Sequence, residues 1–334
     1  MVINDALTTD FPARDRVVVM GAFDGLHIGH QYLIRRTCAE ATERGIEGTV
    51  FTFEPVPQEA FAPPGSPGMR LTTADERCDL LRRLCVDRAV IAPFDTDLQA
   101  MTAEQFARDI LAQRLQTRVL VAAENHHFGH GQGAGIEKIR SLGETYGFEL
   151  IVLPLLKQDG TRVSSTAIRQ YLWDAHAEEA AALLGRNYSL RGTVVTGKGV
   201  GRSLGFPTAN VAPPPNKLVP GPAVYSALAS GRALVDQLGS GAVPCPAAVN
   251  VGPQPTFGRS NSTVEAHLLT DQPLELVGET IELSFMRRLR PVEKFVSIDD
   301  LKVQIRRDVE RVAAQMGLRS ASVGSTCEGP EPAQ

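Results

Sequence analysis

The sequence predicts a chain of two parts: a doubly wound α/β domain with a parallel sheet, followed by a small antiparallel β-barrel with a C-terminal helix. Three observations predict it. Up to about residue 185, short apolar runs alternate with amphipathic segments, as in a parallel sheet covered by helices. Near Leu184-Gly-Arg-Asn-Tyr188 that pattern stops, and short β-runs separated by Gly and Pro turns take over. With 334 residues, each part is long enough to bury its own core.

In the first part, runs at Arg16–Gly21, Gly48–Phe53, Arg88–Ala92, Arg118–Ala123 and Glu149–Leu153 read as buried strands, rich in Val and Ile without strict alternation. Helical patterns lie between them at Gln31–Arg44, Ala74–Cys85, Ala103–Leu115 and Ile136–Tyr146, with Thr102 as an N-cap. In the second part, strands are expected at Leu190–Thr196, Ala223–Ala229, Cys245–Val251, Thr263–Leu269 and Thr280–Phe285. The closing helix, Ile298–Gln315, has Ser297 as its cap and Asp300 three residues on, close to a capping box. We expect domains over residues 1–185 and 186–316, and a disordered Ser/Gly/Pro-rich tail over 317–334.

Composition narrows the function. A net charge of −4 and the lack of a basic stripe argue against nucleic acid as a partner. The five cysteines include no CxxC pair, so the sequence suggests neither a disulfide framework nor a zinc site and fits a reducing cytoplasm. No apolar run reaches membrane-spanning length, and the N-terminus has no signal-like apolar stretch. The expected ligand is a small anion.

The first part is organised around Val17–His30, VVVMGAFDGLHIGH, an apolar run that breaks at Gly21 and becomes a helix near His30. A strand–turn–helix junction gathers unpaired N–H groups and the positive end of a helix dipole, which favours phosphate. His27 and His30 face the same point. Imidazoles there suit nucleotidyl transfer, which needs charge stabilisation and alignment more than covalent chemistry.

Three further segments fall at strand ends. Phe51-Thr-Phe-Glu-Pro55 follows the second strand, and Glu124-Asn-His-His-Phe-Gly129 follows the fourth, where Asn125 and His127 can reach a base or phosphate. In Val163-Ser-Ser-Thr-Ala-Ile-Arg169, Ser164 and Ser165 open a helix, and Arg169 opposes its dipole unless an anion such as pyrophosphate partners it. His126, His127 and His130 lack the cysteine or spaced acid that would complete a metal set. Gly129–Ala134 matches GxGxxA, but it stands past its strand end, and Glu149 opens a strand that it should close. The dinucleotide reading is therefore weak.

GAFDGLHIGH, FTFEP, ENHHFG and VSSTAIR, in this order, resemble the FMN adenylyltransferase half of the bacterial bifunctional riboflavin kinase/FAD synthetase family. That half is a branch of the HxGH nucleotidyltransferases, with a Rossmann-like parallel sheet. The resemblance implies that His27 and His30 contact the ATP phosphates in the transition state. It also implies that Asn125, Ser164 and Arg169 help hold ATP, with Gly21, Phe23, Asp24 and Ser165 in the same nucleotide-binding segments. A phosphate nucleophile is already ionised, so this half needs no general base. The chain departs from the family pattern at Val56, where a histidine is usual, at Ala123 and His126, where glycine and phenylalanine are preferred, and at Gln132, where a basic residue is.

The chemistry of the second part lies in GKGVGRSLGFPTAN, Gly197–Asn210. No GxxxxGK[ST] loop occurs in the chain. A glycine-rich turn between strands still presents N–H groups to phosphate, and Thr208 and Asn210 are hard oxygen donors suited to Mg²⁺. An alcohol that is to be phosphorylated must lose a proton, so a carboxylate should stand near it. Glu265 in VEAHLL is the candidate, on the same strand face as His267. These strings, with NVGPQPTF, resemble the riboflavin kinase half of the same family. By that resemblance Thr208 and Asn210 bind Mg²⁺–ATP within the loop that carries Gly197, Gly199, Arg202 and Pro207, and Glu265 activates the ribityl hydroxyl. The family's GVY is altered to Ala223-Val-Tyr225, and the aspartate expected after HLL is Thr270.

The resemblance thus implies a cytoplasmic bifunctional enzyme, with ATP as co-substrate and Mg²⁺ as cofactor. Its barrel phosphorylates riboflavin to FMN, and its α/β domain adenylylates FMN to FAD with release of pyrophosphate. The implied partners are riboflavin, FMN and ATP, with no nucleic acid and no membrane; a homo-oligomer is left open. Two other readings stay open: a paralogue restricted to the kinase step or to a flavin analogue, motivated by Val56, Ala123 and His126, and a flavin or nucleotide sensor without turnover. Glu265 counts against the sensor, because a pure binder has no use for a base.

Overall fold

The structure, a computed structural model, describes residues 2–4, 14–63, 69–197, 199–252 and 263–317. Lys198, residues 253–257 of the kinase signature and residues 318–334 of the expected tail lie outside the described residues. The chain forms two compact units, Met1–Ile168 with Leu183–Gly185, and Arg169–Ala182 with Arg186–Gln334.

The first unit is built on a six-stranded sheet of β1 (Val2–Asn4), β2 (Arg16–Met20), β3 (Glu47–Glu54), β4 (Arg88–Pro93), β5 (Thr117–Ala123) and β6 (Glu149–Leu153), in the order β1-β4-β3-β2-β5-β6. All its pairings are parallel. Alternation along β2 explains why its apolar run is unbroken. Val17 and Val19 enter one core with Phe23, Leu26 and Ile34, while Val18 and Met20 enter the opposite core with Phe106, Leu111 and Ile139. The strand order reverses between β2 and β5, and in such sheets ligands bind outside the carboxyl ends of the strands at the reversal. The GAFDGLHIGH turn leaves β2 there, and ENHHFG leaves β5.

Three features of this unit were not legible in the sequence. β1, of three residues, pairs with β4 at the sheet edge. The helix capped by Thr102, which forms a capping box with Gln105, changes to wider turns over Phe106–Arg114 and ends with Leu115 N–H donating to the Ile110 carbonyl at 2.9 Å. The reading that the cysteines form no disulfide is corrected: Cys38 and Cys85 are paired, their Cα atoms 6.0 Å apart. They lie 47 residues apart, so packing of Ile28–Arg44 beside the end of Ala74–Arg82 brings them together, and no local spacing announces it. A short hairpin, β7 (Lys157–Gln158) with β8 (Thr161–Arg162), precedes the helix Ser165–Trp173.

The second unit holds a closed antiparallel barrel of β9 (Tyr188–Val195), β10 (Ala209–Ala212), β11 (Ala223–Ser230), β12 (Cys245–Gly252), β13 (Thr263–Leu268) and β14 (Thr280–Arg290), in the order β10-β13-β12-β11-β14-β9. β10 escapes the sequence reading because it has only four residues, between Pro207 and Pro213. Inside, Val194, Val211, Val249, Val251, Ala266, Leu283 and Phe285 are buried. The helix Ile298–Gln315 begins as expected, with the Ser297 hydroxyl accepting the Asp300 N–H at 3.1 Å. Its Asp308 makes a two-pronged ion pair with Arg290 of β14, both largely withdrawn from water.

Candidate active sites

At the end of β2 the backbone makes an unusual turn. Phe23 and Leu26, neither a glycine, hold φ of +48° and +38°, and Gly25 has +83°. Such left-handed residues cost about 1–3 kcal/mol each, and persist where the surroundings fix them. Burial opposes that cost. Phe23 and Leu26 are 1% and 2% exposed, and each buried side chain contributes about 1.5–3 kcal/mol.

Asp24 supplies the rest of the support. Its buried carboxylate accepts the Leu71 and Thr72 N–H groups at 3.0 and 2.9 Å and the Thr72 hydroxyl at 3.1 Å, while that hydroxyl accepts the Gly25 N–H. These contacts tie Asp24 to the Leu71–Thr72 backbone and so brace the turn. Gly21 donates its N–H to the Phe51 carbonyl at 3.1 Å.

This turn delivers the two histidines. His27 caps the helix Ile28–Arg44, its Nδ1 accepting the His30 N–H at 3.2 Å. The rings stack with centroids 3.5 Å apart, and the edge contact of Phe23 with His30 is 5.2 Å between centroids. A Cβ at Gly29 would come within 3.1 Å of His27 Nδ1, so the glycine between the histidines lets the ring lie over the backbone. His30 is held well below its ordinary pKa, first by burial and then by the neighbouring His27. Among the described residues its Nδ1 has no partner. The arrangement is a stacked imidazole pair at a helix N-terminus, in which burial disfavours the charged form of His30.

Ser164 and Ser165, at the start of the helix Ser165–Trp173, and Asn125, beyond β5, are further sequence-predicted residues of this unit. Ser165 donates its hydroxyl to the Asp24 carbonyl at 2.9 Å, joining the VSST segment to the turn, and Ser164 caps the helix by accepting the Ala167 N–H at 3.2 Å. Arg169, one turn further on, is buried. Asn125 is exposed beyond β5, and its carbonyl accepts from His127 Nδ1 at 2.9 Å. His126 is half-buried with Nε2 enclosed and without a partner among the described residues. Its pKa is pushed down to about 4, first by burial and then by His127.

Sequence reasoning missed Arg77. Only 1% exposed, it donates to the Ala22 carbonyl at 3.1 Å, to the Phe53 carbonyl at 2.8 Å and to Glu54 at 2.9 Å, so it ties the β2 turn to the end of β3. Glu54 also receives Arg70, which pairs in addition with Glu59. An arginine inside a helix carries no motif; only its buried partners reveal it.

In the barrel, cross-strand register builds the second site. Asn210 of β10 stands opposite Glu265 of β13, and Glu265 stands opposite Asn250 of β12, giving a polar row across three strands. Val264, Ala266 and Leu268 are buried inward, so Glu265 and His267 share the outer face and are half-buried. The glycine-rich loop is fitted to this row. A Cβ at Gly197 would lie 2.1 Å from Asn210 Nδ2, and one at Gly201 would lie 2.4 Å from the Phe206 carbonyl and 3.1 Å from Thr208 Oγ1. Gly199 has φ +71°, and Arg202 is exposed in the short helix Val200–Ser203. The Pro207 carbonyl accepts from His267 Nδ1 at 2.8 Å.

A braced imidazole pair at a helix N-terminus and a polar row with a single carboxylate beside a glycine-rich loop define a two-module, nucleotide-dependent transferase. Comparison with known proteins specifies it. The FAD synthetase family model matches residues 11–167, and the riboflavin kinase family model matches residues 184–316. The chain is 35% identical over 297 residues to the bifunctional riboflavin kinase/FMN adenylyltransferase of Escherichia coli (strain K12), covering 89% of this chain and 91% of that one. It is 33% identical over 308 residues to the protein of the same name from Pseudomonas fluorescens, covering 90% and 93%. The chain belongs to the bifunctional riboflavin kinase/FMN adenylyltransferase family. Among solved structures, one titled a macrolide-efflux protein from Streptococcus pneumoniae matches with a TM-score of 0.81 at 27% identity, over 93% of this chain and 99% of that one. Among the described residues here, no helix is long and apolar enough to cross a membrane.

Proposed function

We propose that this chain phosphorylates riboflavin to FMN in its barrel and adenylylates FMN to FAD in its α/β unit, consuming ATP at both sites. The observation that carries the reading is the contrast between the sites. One pairs imidazoles with a helix N-terminus, and the carboxylate of its turn, Asp24, is taken up by the Leu71 and Thr72 N–H groups; the other sets Glu265 beside Asn210.

In the first reaction the terminal ribityl oxygen attacks the γ-phosphorus of ATP, its proton passes to Glu265, and ADP leaves. The donor set of Thr208 and Asn210, both hard oxygens held under close-packed glycines, fits Mg²⁺. That ion would supply charge neutralisation for the ATP phosphates. In the second reaction an FMN phosphate oxygen attacks the α-phosphorus, and pyrophosphate leaves. His27 and His30 stabilise the charge that develops on the phosphates, whose negative field favours protonation of His30 against its burial. Asn125, Ser164, Ser165 and Arg169 hold ATP at the strand ends. An enzyme consuming ATP and making intracellular flavin cofactors belongs in the cytoplasm.

A chromatographic time course tests the reading. With riboflavin, ATP and Mg²⁺, FMN should appear first and FAD follow. FMN that accumulates without FAD would favour a chain restricted to the kinase step, and unchanged riboflavin and FMN would overturn catalysis altogether.

A further inference from the structure

We propose that His267 is a positioning residue for the kinase step, holding the Pro207–Thr208 segment in the conformation that presents Thr208 and Asn210 to Mg²⁺–ATP. The inference rests on the kinase reading above.

Four observations carry it. A carbonyl oxygen can only accept, so the 2.8 Å contact with Pro207 fixes the proton of His267 on Nδ1. The Phe206 ring meets the imidazole edge-on, with centroids 5.6 Å apart, which holds the ring plane. From the other side the glycine loop grips the same segment: Phe206 N–H donates to the Gly201 carbonyl at 2.8 Å, and Gly201 has no room for a side chain beneath the Phe206 carbonyl. Phe206–Pro207 is thereby clamped between a loop and a strand, directly before the proposed metal ligands. Finally, His267 and Glu265 lie two residues apart on one face of β13, so a single rigid element fixes both the base and the segment that carries Thr208.

The side-chain geometry of asparagine and glutamine makes the test specific. Asparagine can place its amide nitrogen near the position of Nδ1, whereas glutamine places it near Nε2. H267Q should raise the KM for Mg²⁺–ATP in riboflavin phosphorylation by about tenfold, the range of one lost hydrogen bond to a positioned group. H267N should stay within about twofold of the parent chain, since it keeps that bond. FMN adenylylation by the same preparations should not change, which reports that the chain is folded. Equal KM values for H267Q and the parent, or equal losses in H267Q and H267N, would overturn the proposal. ¹⁵N spectra of histidine-labelled parent protein give an independent reading: His267 should be the Nδ1–H tautomer, and an Nε2–H tautomer would also overturn it. If the parent forms no FMN while the spectra show Nδ1–H, the kinase reading fails and with it the positioning role, while the hydrogen bond from His267 to Pro207 stands.

Discussion

His27 caps the helix that carries His30: its Nδ1 accepts the His30 N–H at 3.2 Å while the two rings stack 3.5 Å apart. One side chain therefore fixes the start of the helix and the orientation of its partner, at the point where the proposed site would receive phosphate. Stability and catalysis are separable at this position. Asparagine is a good N-cap, so His27→Asn should leave the thermal unfolding midpoint nearly unchanged, whereas His27→Ala should cost about 1 kcal/mol. Both variants should lower FMN adenylylation by about 100-fold, and neither should alter riboflavin phosphorylation. Wild-type FAD formation by either variant would remove His27 from its role.

Acid should weaken the fold through two histidines. His30 and His126 are both held below their ordinary value, His126 at about 4. When unfolded they take up protons as the pH falls through about 6.5, while in the fold they stay neutral until lower pH. The unfolded state then binds more protons, so stability is lost on acidification through that window. Replacing His126 by phenylalanine should flatten the dependence of unfolding free energy on pH between about 6.5 and 4, by up to about one proton. An unchanged slope would show that the enclosed His126 nitrogen is not kept neutral.

Arg77 should be needed for the fold of the first unit. Arg77→Met removes the guanidinium donor to the Phe53 carbonyl and one of two donors to the Ala22 carbonyl, which keeps the Thr52 hydroxyl, and it should destabilise this unit by about 3 kcal/mol in denaturant unfolding. Riboflavin phosphorylation, carried by the other unit, should persist below the unfolding range. A change under 1 kcal/mol would mean that Arg70 alone suffices to hold Glu54.

Gly197→Ala tests the fitted loop. The added methyl would fall 2.1 Å from Asn210 Nδ2, far inside contact distance, so loop or carboxamide must move. The KM for Mg²⁺–ATP in the kinase step should rise by about tenfold or more, with adenylylation intact. An unaltered KM would show that Asn210 does not depend on its place beneath the loop.

What the sequence made legible follows physical scale. β2 and β5 were readable because a strand buried on both faces must be apolar throughout, and the turn after β2 because glycines break that apolar run before a helical pattern begins. Ser164, Ser297 and Thr102 declared themselves as caps, since capping is a local hydrogen bond. Arg77, the Cys38–Cys85 pair and the Asn210–Glu265–Asn250 row were not legible as arrangements, because each is made by register or packing between segments far apart in sequence. Asp24 shows the same limit within a recognised motif. Its position was readable, but its bracing of Leu71 and Thr72 was not.

The central claim is that one chain carries two chemically distinct sites, with a base in one alone. Glu265→Gln tests it most directly, assayed once with riboflavin and once with FMN, each with ATP and Mg²⁺. The account predicts that FMN formation falls by at least about 100-fold, the scale of a lost general base, while FMN is converted to FAD at the parent rate. Loss of both conversions in a protein that remains folded, or FMN formation at the parent rate, would contradict it.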